Sequence, residues 1–226
     1  MAREDQQLAL YEFFGGFSTT LAADAPAGST TISVNASRPI DTAKLDMGSL
    51  SESVSIKDVT GNGPFTVTLK APTQYDHSAG AVLAPYRTSP SSTFPDIKTV
   101  AMGEPFEARN NMQPILFVTS PTSQEKRQYA QEKLITYNLS AVLVQILPAK
   151  TRGAEAESTL DSFYRMLDEI AAQIRTNKML ITPSYPLGAS MKFGESFRIQ
   201  ESHQRTEVEL YIVSKIDIES IEQVHA

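Results

Sequence analysis

The chain has no cysteine and no tryptophan among its 226 residues. Without thiols it can form no disulfide, no thiolate zinc site, no iron–sulfur cluster and no cysteine nucleophile. Imidazole is scarce, with three histidines at His77, His203 and His225. They fall in different segments, read as a turn, a loop and the tail, so no convergent metal set is expected and no cofactor is implied. No apolar run approaches the roughly 20 residues of a membrane span. The opening Met1-Ala-Arg-Glu-Asp-Gln-Gln is too polar for a signal peptide. Positive charge is also short. Lys and Arg number 20 against 26 Asp and Glu, giving a net charge of −6 and a pI near 5.2. That argues against a dedicated binder of duplex DNA, which needs a basic face.

Catalytic motifs are missing too. No G-x-S-x-G turn presents a serine nucleophile. Gly15-Gly16 and Gly61-Asn62-Gly63 lack the Lys-Ser/Thr ending of a phosphate loop and read as turns. Carboxylates pair at Glu155 with Glu157, Asp168 with Glu169, and Glu207 with Glu209. Paired acid–base work needs two carboxyls in one cleft in different environments, and these read as solvated faces. Asn35-Ala-Ser37 and Asn138-Leu-Ser140 match the glycosylation pattern but carry no weight without a signal peptide. Basic residues gather only at Lys126-Arg127 and at Lys150 with Arg152, in exposed mixed-charge loops. No catalytic residue is assigned, and the protein is not read as an enzyme.

What is present suits a folded protein. Hydrophobic residues make up 41% and charged residues 20%. A protein of this length buries about 70% of its unfolded surface, enough for a core without staples. Residues 4–14 read as a short helix or arm ended by Gly15-Gly16. From 18 to about 90 the pattern changes to short alternating runs: Thr30–Val34, Val54–Lys57 and Phe65–Lys70. Gly61-Asn62-Gly63 between the last two predicts a hairpin turn. This is a small all-β module of four to six strands. Pro85 to Pro95, rich in Pro, Ser and Thr, reads as a linker and places a domain boundary near residue 90.

Residues 91–226 read as α+β. Pro114–Val118 is a short strand. Ser123–Lys133, polar throughout, reads as exposed loop or frayed helix. Leu134–Leu147 is β-branched and apolar, as a central strand covered on both faces would be. Leu160, Phe163, Tyr164, Leu167, Ile170, Ala171 and Ile174 repeat at helical spacing, with Ser158–Asp161 resembling a capping box. Ala189–Phe193 and Phe197–Ile199 read as strands bent at Gly194, and Val208–Ile218 as a long half-buried strand. The expected architecture is a β-sheet packed against one main amphipathic helix, plus the all-β module.

Residues 27–86 carry Ala-Gly-Ser-Thr-Thr-Ile-Ser-Val, Ser-Val-Ser-Ile-Lys-Asp-Val, Phe-Thr-Val-Thr-Leu and His77-Ser-Ala-Gly80-Ala-Val in order. This series resembles a small β module common in tailed-phage virion proteins. Residues 97–226 resemble the tail-terminator family of phage neck proteins, through Gln113–Val118, Asn138–Ile146, the helix at 160–174 and the strand Glu207–Val213. The resemblance implies a structural virion protein, made in the host cytoplasm, that forms a hexameric ring capping the tail tube and joins it to the head–tail connector. Its partners would be further copies of itself, the tail tube protein and neck proteins, with genome DNA passing through unbound and no membrane. The alternatives are a head–tail adaptor, a baseplate or a tail-completion protein. In another class stands a small hydrolase or carbohydrate-binding module with a pocket joining His203, Glu201 and Glu195. Phe94, Phe106 and Tyr185, apolar residues in expected loops, are the candidate interface residues.

Overall fold

A computed structural model of the protein describes residues 3–37, 42–46, 49–85, 91, 93–103, 113–119, 122–129, 132–148, 151, 153–177, 192–205 and 209–225. The alternating runs of the first half pair into one six-stranded sheet: β1 (Thr19–Thr20), β2 (Thr31–Val34), β3 (Thr42–Leu45), β4 (Glu52–Thr60), β5 (Phe65–Leu69) and β6 (Val82–Pro85). Their order is β1-β6-β3-β4-β5-β2, every neighbour antiparallel. A bridge between Leu21 and Val34 brings the two ends together, so the sheet nearly closes as a barrel. Alternation dictates the filling. Ile32, Val34, Ala43, Leu45, Val54, Ile56, Val67, Leu69 and Leu83 point inward and form a core of their own. The β4–β5 hairpin turns at residues 61–64, as Gly61-Asn62-Gly63 predicts, with Gly61 and Gly63 both at positive φ.

The second sheet holds β7 (Thr99–Met102), β8 (Ile115–Val118), β9 (Thr122–Tyr129), β10 (Glu132–Pro148), β11 (Lys192–Arg205) and β12 (Glu209–His225). Its order is β11-β12-β10-β8-β7, with β9 also on β10. β7 and β8 are parallel and the rest antiparallel. β10 and β12 pair along the full length of each, from Glu132 opposite His225 to Pro148 opposite Glu209. Each residue parity buries one face. Leu116, Val118, Leu139, Ala141, Leu143, Ile212, Ile216 and Ile218 face the helices. Ala101, Ile115, Phe117, Val142, Val144 and Ile146 are buried on the other face. β10 is thus the two-sided central strand that its continuous apolar run predicts.

Two helices pack on this sheet. α1 (Arg3–Phe13) lies against β7, β8 and β10. It is not a loose arm: Leu8, Ala9, Leu10 and Tyr11 are fully buried, and the Gln7 Nε2 donates to the Val118 carbonyl at 2.8 Å. α2 (Ala154–Thr176) buries Phe163, Met166, Leu167, Ile170, Ala171 and Ile174. Met166 rather than Tyr164 completes that stripe, and Tyr164 is turned outward. The helix begins one turn before Ser158, at an N-terminal Gly153 that offers no capping side chain, so the capping box does not form.

The expected fold class is therefore corrected. Among the described residues the protein is mostly β, in two sheets with two helices rather than one sheet on one main helix. The additional strand content has identifiable sources. Ser123–Lys133 is polar because much of it is β9, paired to β10 at the margin of the sheet. The segments on either side of Gly194 are one strand, β11, with its register shift between Phe193 and Phe197. Of the proposed linker, Ser91 and Phe94 are buried, and the Ser91 hydroxyl donates to the Phe14 carbonyl at 2.6 Å.

One polar atom in the helix-side core has no partner. The Ser214 hydroxyl, on β12 between Ile212 and Ile216, is fully buried without a hydrogen bond. Ser214→Ala removes an uncompensated hydroxyl and leaves the packing almost unchanged. The expected result is a gain of about 1 kcal/mol in unfolding free energy, read as a higher urea midpoint at unchanged slope.

Candidate functional site at the barrel mouth and along the sheet edges

The densest cluster of interacting polar groups among the described residues lies at one end of the barrel. Asp46 follows β3, Glu52 opens β4, and His77 lies in the connection between β5 and β6. Backbone bonds fix that connection: Ala25 and His77 exchange a pair of them, at 2.8 and 2.9 Å. The imidazole is fully buried and held between the two carboxylates. His77 Nε2 is 2.7 Å from Glu52 Oε1, and Nδ1 is 3.3 Å from Asp46 Oδ2. Glu52 also accepts from the backbone N–H groups of Gln74 and Tyr75. One buried carboxylate therefore ties the start of β4 to the 70–81 connection in three places.

This arrangement holds the barrel closed rather than opening a reactive centre. With its ring wholly inside, His77 offers no nitrogen to a substrate. Its reading as a turn residue misses the two acid partners, because neither lies near it in sequence: Asp46 is 31 residues away and Glu52 is 25. Around it the turn leaves Tyr75 exposed, with Leu50 exposed near the start of β4.

The other sequence candidates are dispersed. His203 and Glu201 are exposed on β11, an outer strand rather than a loop, and Glu195 lies in the irregular part of the same strand. His225 is the last residue of β12, opposite Glu132, not part of a free tail. Among the described residues no group of histidine and carboxylate residues is placed to hold a metal. Glu155 and Glu157 occupy the first turn of α2, where the helix dipole favours negative charge. Phe94 is buried in the intramolecular core, 6.1 Å centroid to centroid from the Phe14 ring. Phe106 and Tyr185 lie outside the described residues.

The second feature with functional content is the sheet margin. β11, 14 residues long, ends the strand order on one side, while β7 and β9 end it on the other. The other face, which carries no helix among the described residues, turns polar towards one end of β10 and β12. There Ser140 donates to Asp217 Oδ1 at 2.5 Å and Lys215 Nζ lies 2.8 Å from the same oxygen. Partial burial works to raise the Asp217 pKa. Hydrogen bonds from Lys215 and Ser140, with the nearby charges of Lys215 and Arg198, outweigh it, and the carboxyl sits below its ordinary range. The Tyr211 hydroxyl is pushed up, chiefly by its 2.5 Å hydrogen bond to Glu209 and further by burial and by the Glu209 charge.

Among the described residues no helix is long and apolar enough to cross a membrane. No protein-family model matches the sequence, and no curated protein matches it either.

Proposed function

We propose that this protein is a structural subunit of a tailed-phage virion, a tail terminator that assembles into a ring, caps the tail tube and joins it to the head–tail connector. The observation that carries the reading is the open second sheet. Both helices lie on one face, and the strand order ends in β11 on one side and in β7 and β9 on the other. Sheet edges are templates for pairing with another polypeptide. One edge meeting the opposite edge of the next copy is a head-to-tail contact, the kind that closes rings. Ring number six follows from the family resemblance alone.

Two further features agree with this role. A net charge of −6 lets a DNA channel repel phosphate, so the genome slides rather than sticks. The barrel lies between α1 and β7 in sequence and is seated on the body that builds the ring through Val82 and Ala84 of β6, leaving its remaining surface to meet a neck or collar partner.

The test is solution mass with negative-stain images, alone and after mixing with purified tail tubes. Closed rings, or tubes bearing a cap at one end, are the expected result. A protein that stays monomeric and leaves every tube end bare overturns the proposal.

A further inference from the structure

We propose that Asn62 is a site of spontaneous covalent modification, converting to aspartate and isoaspartate at the tip of the β4–β5 hairpin. The reaction requires that the backbone nitrogen of the following residue reach the asparagine amide. Asn62-Gly63 is the one Asn-Gly pair in the sequence. It sits in an exposed turn outside both strands, and Gly63 has φ +106°, a conformation that residues with a Cβ rarely adopt. A Cβ is also what would shield the attacking nitrogen, and glycine has none.

Among the described residues no hydrogen bond holds either the Asn62 amide or the Gly63 N–H. Each of the other described asparagines precedes a residue with a Cβ and is held in a strand or by a hydrogen bond of its amide. Asn35 Nδ2 donates to Thr20 Oγ1 at 2.8 Å and precedes Ala36. Asn177 Nδ2 donates to the Gln173 carbonyl at 2.8 Å and precedes Lys178. Asn138 lies within β10, opposite Glu219, and precedes Leu139.

The chemistry is balanced by water alone. The Gly63 nitrogen attacks Cγ of Asn62, forming a new C–N bond and a five-membered succinimide. The Cγ–Nδ2 bond of Asn62 breaks, and the amide nitrogen leaves as ammonia with the proton lost from Gly63. Water then opens the ring at either carbonyl. One opening restores the normal backbone with an aspartate. The other routes the backbone through Cβ, as isoaspartate. Both add one negative charge to the hairpin tip, and the second lengthens the turn by one backbone atom. The attack is intramolecular, so its rate is set by how freely the two groups can align.

The experiment uses the full-length protein, folded, kept at mildly alkaline pH and 37 °C and sampled over time. Trypsin releases the peptide Asp58–Lys70, which contains Asn62 as its one asparagine. The expected result is a species about 1 Da heavier, split into aspartate and isoaspartate forms, growing at least about tenfold faster than conversion at Asn35, Asn138 or Asn177. Asn62→Gln, which would have to close a larger ring, should abolish that species while the other three sites keep their rates. Equal rates at Asn35, Asn62, Asn138 and Asn177, or an intact Asn62 after the other three have converted, would overturn the proposal. The readout is independent of whether the protein forms a ring.

Discussion

Gly16→Ala is expected to cost the protein about 3 kcal/mol of stability, at the upper end of the ordinary range for overpacking. The cause is not backbone freedom but lack of room. A Cβ at residue 16 would collide with the ring of Tyr11, at its Cζ and both Cε atoms. The ring cannot retreat. Tyr11 is fully buried, its hydroxyl donates to the Phe17 carbonyl at 3.1 Å, and the Gly16 N–H donates to the Tyr11 carbonyl at 2.9 Å. The backbone folds back over its own helix, and glycine is what lets it pass. Urea unfolding should show a midpoint lowered in proportion. Combining the change with Tyr11→Ala should cost clearly less than the sum of the two single changes, because the clash disappears with the ring. An unaltered midpoint in Gly16→Ala would refute the argument.

Glu52→Ala is expected to be at least as damaging, at about 3–5 kcal/mol, because three donors lose their shared acceptor at roughly 1–3 kcal/mol each. The carboxylate is 5% exposed. Its loss leaves His77 Nε2 and the N–H groups of Gln74 and Tyr75 without their acceptor. Because these groups lie between β5 and β6, the barrel mouth should loosen first. Hydrogen exchange should therefore rise at residues 73–81 and in β4 before it rises in β10 or β12. Glu52→Gln keeps the shape and one acceptor oxygen, so it should lose less. If both variants unfold at the wild-type midpoint, the cluster does not hold the barrel mouth.

These two features also show what could be read from residues alone. Thr30–Val34, Phe65–Leu69 and the Asn-Gly turn are legible because period two and turn chemistry are local signals. The inner stripe of α2 is legible for the same reason, with the exchange of Met166 for Tyr164. β7 escapes because four buried residues in a row, Thr99 to Met102, give no alternation to detect. β9 escapes because polar residues at a sheet margin look like loop. Nothing local joins His77 to Glu52 or to Asp46. Such contacts arise only when segments meet in three dimensions, and they decide where the protein tolerates change.

The position of α1 has a consequence during synthesis. The helix is made before the strands it covers, β8 and β10, which end at Val118 and Pro148. At ribosomal speeds, Leu8, Leu10, Tyr11 and Phe14 spend on the order of 10 s without their sheet. The barrel needs nothing beyond Pro85 to pair its own strands, so it can close in that interval. Its strand β6 already carries two residues of the core that the helix joins, since Leu83 fills the barrel while Val82 and Ala84 belong to the cluster around α1. The nascent polypeptide thus has an early partner for the apolar face of α1, and strands made later complete an enclosure that the barrel begins.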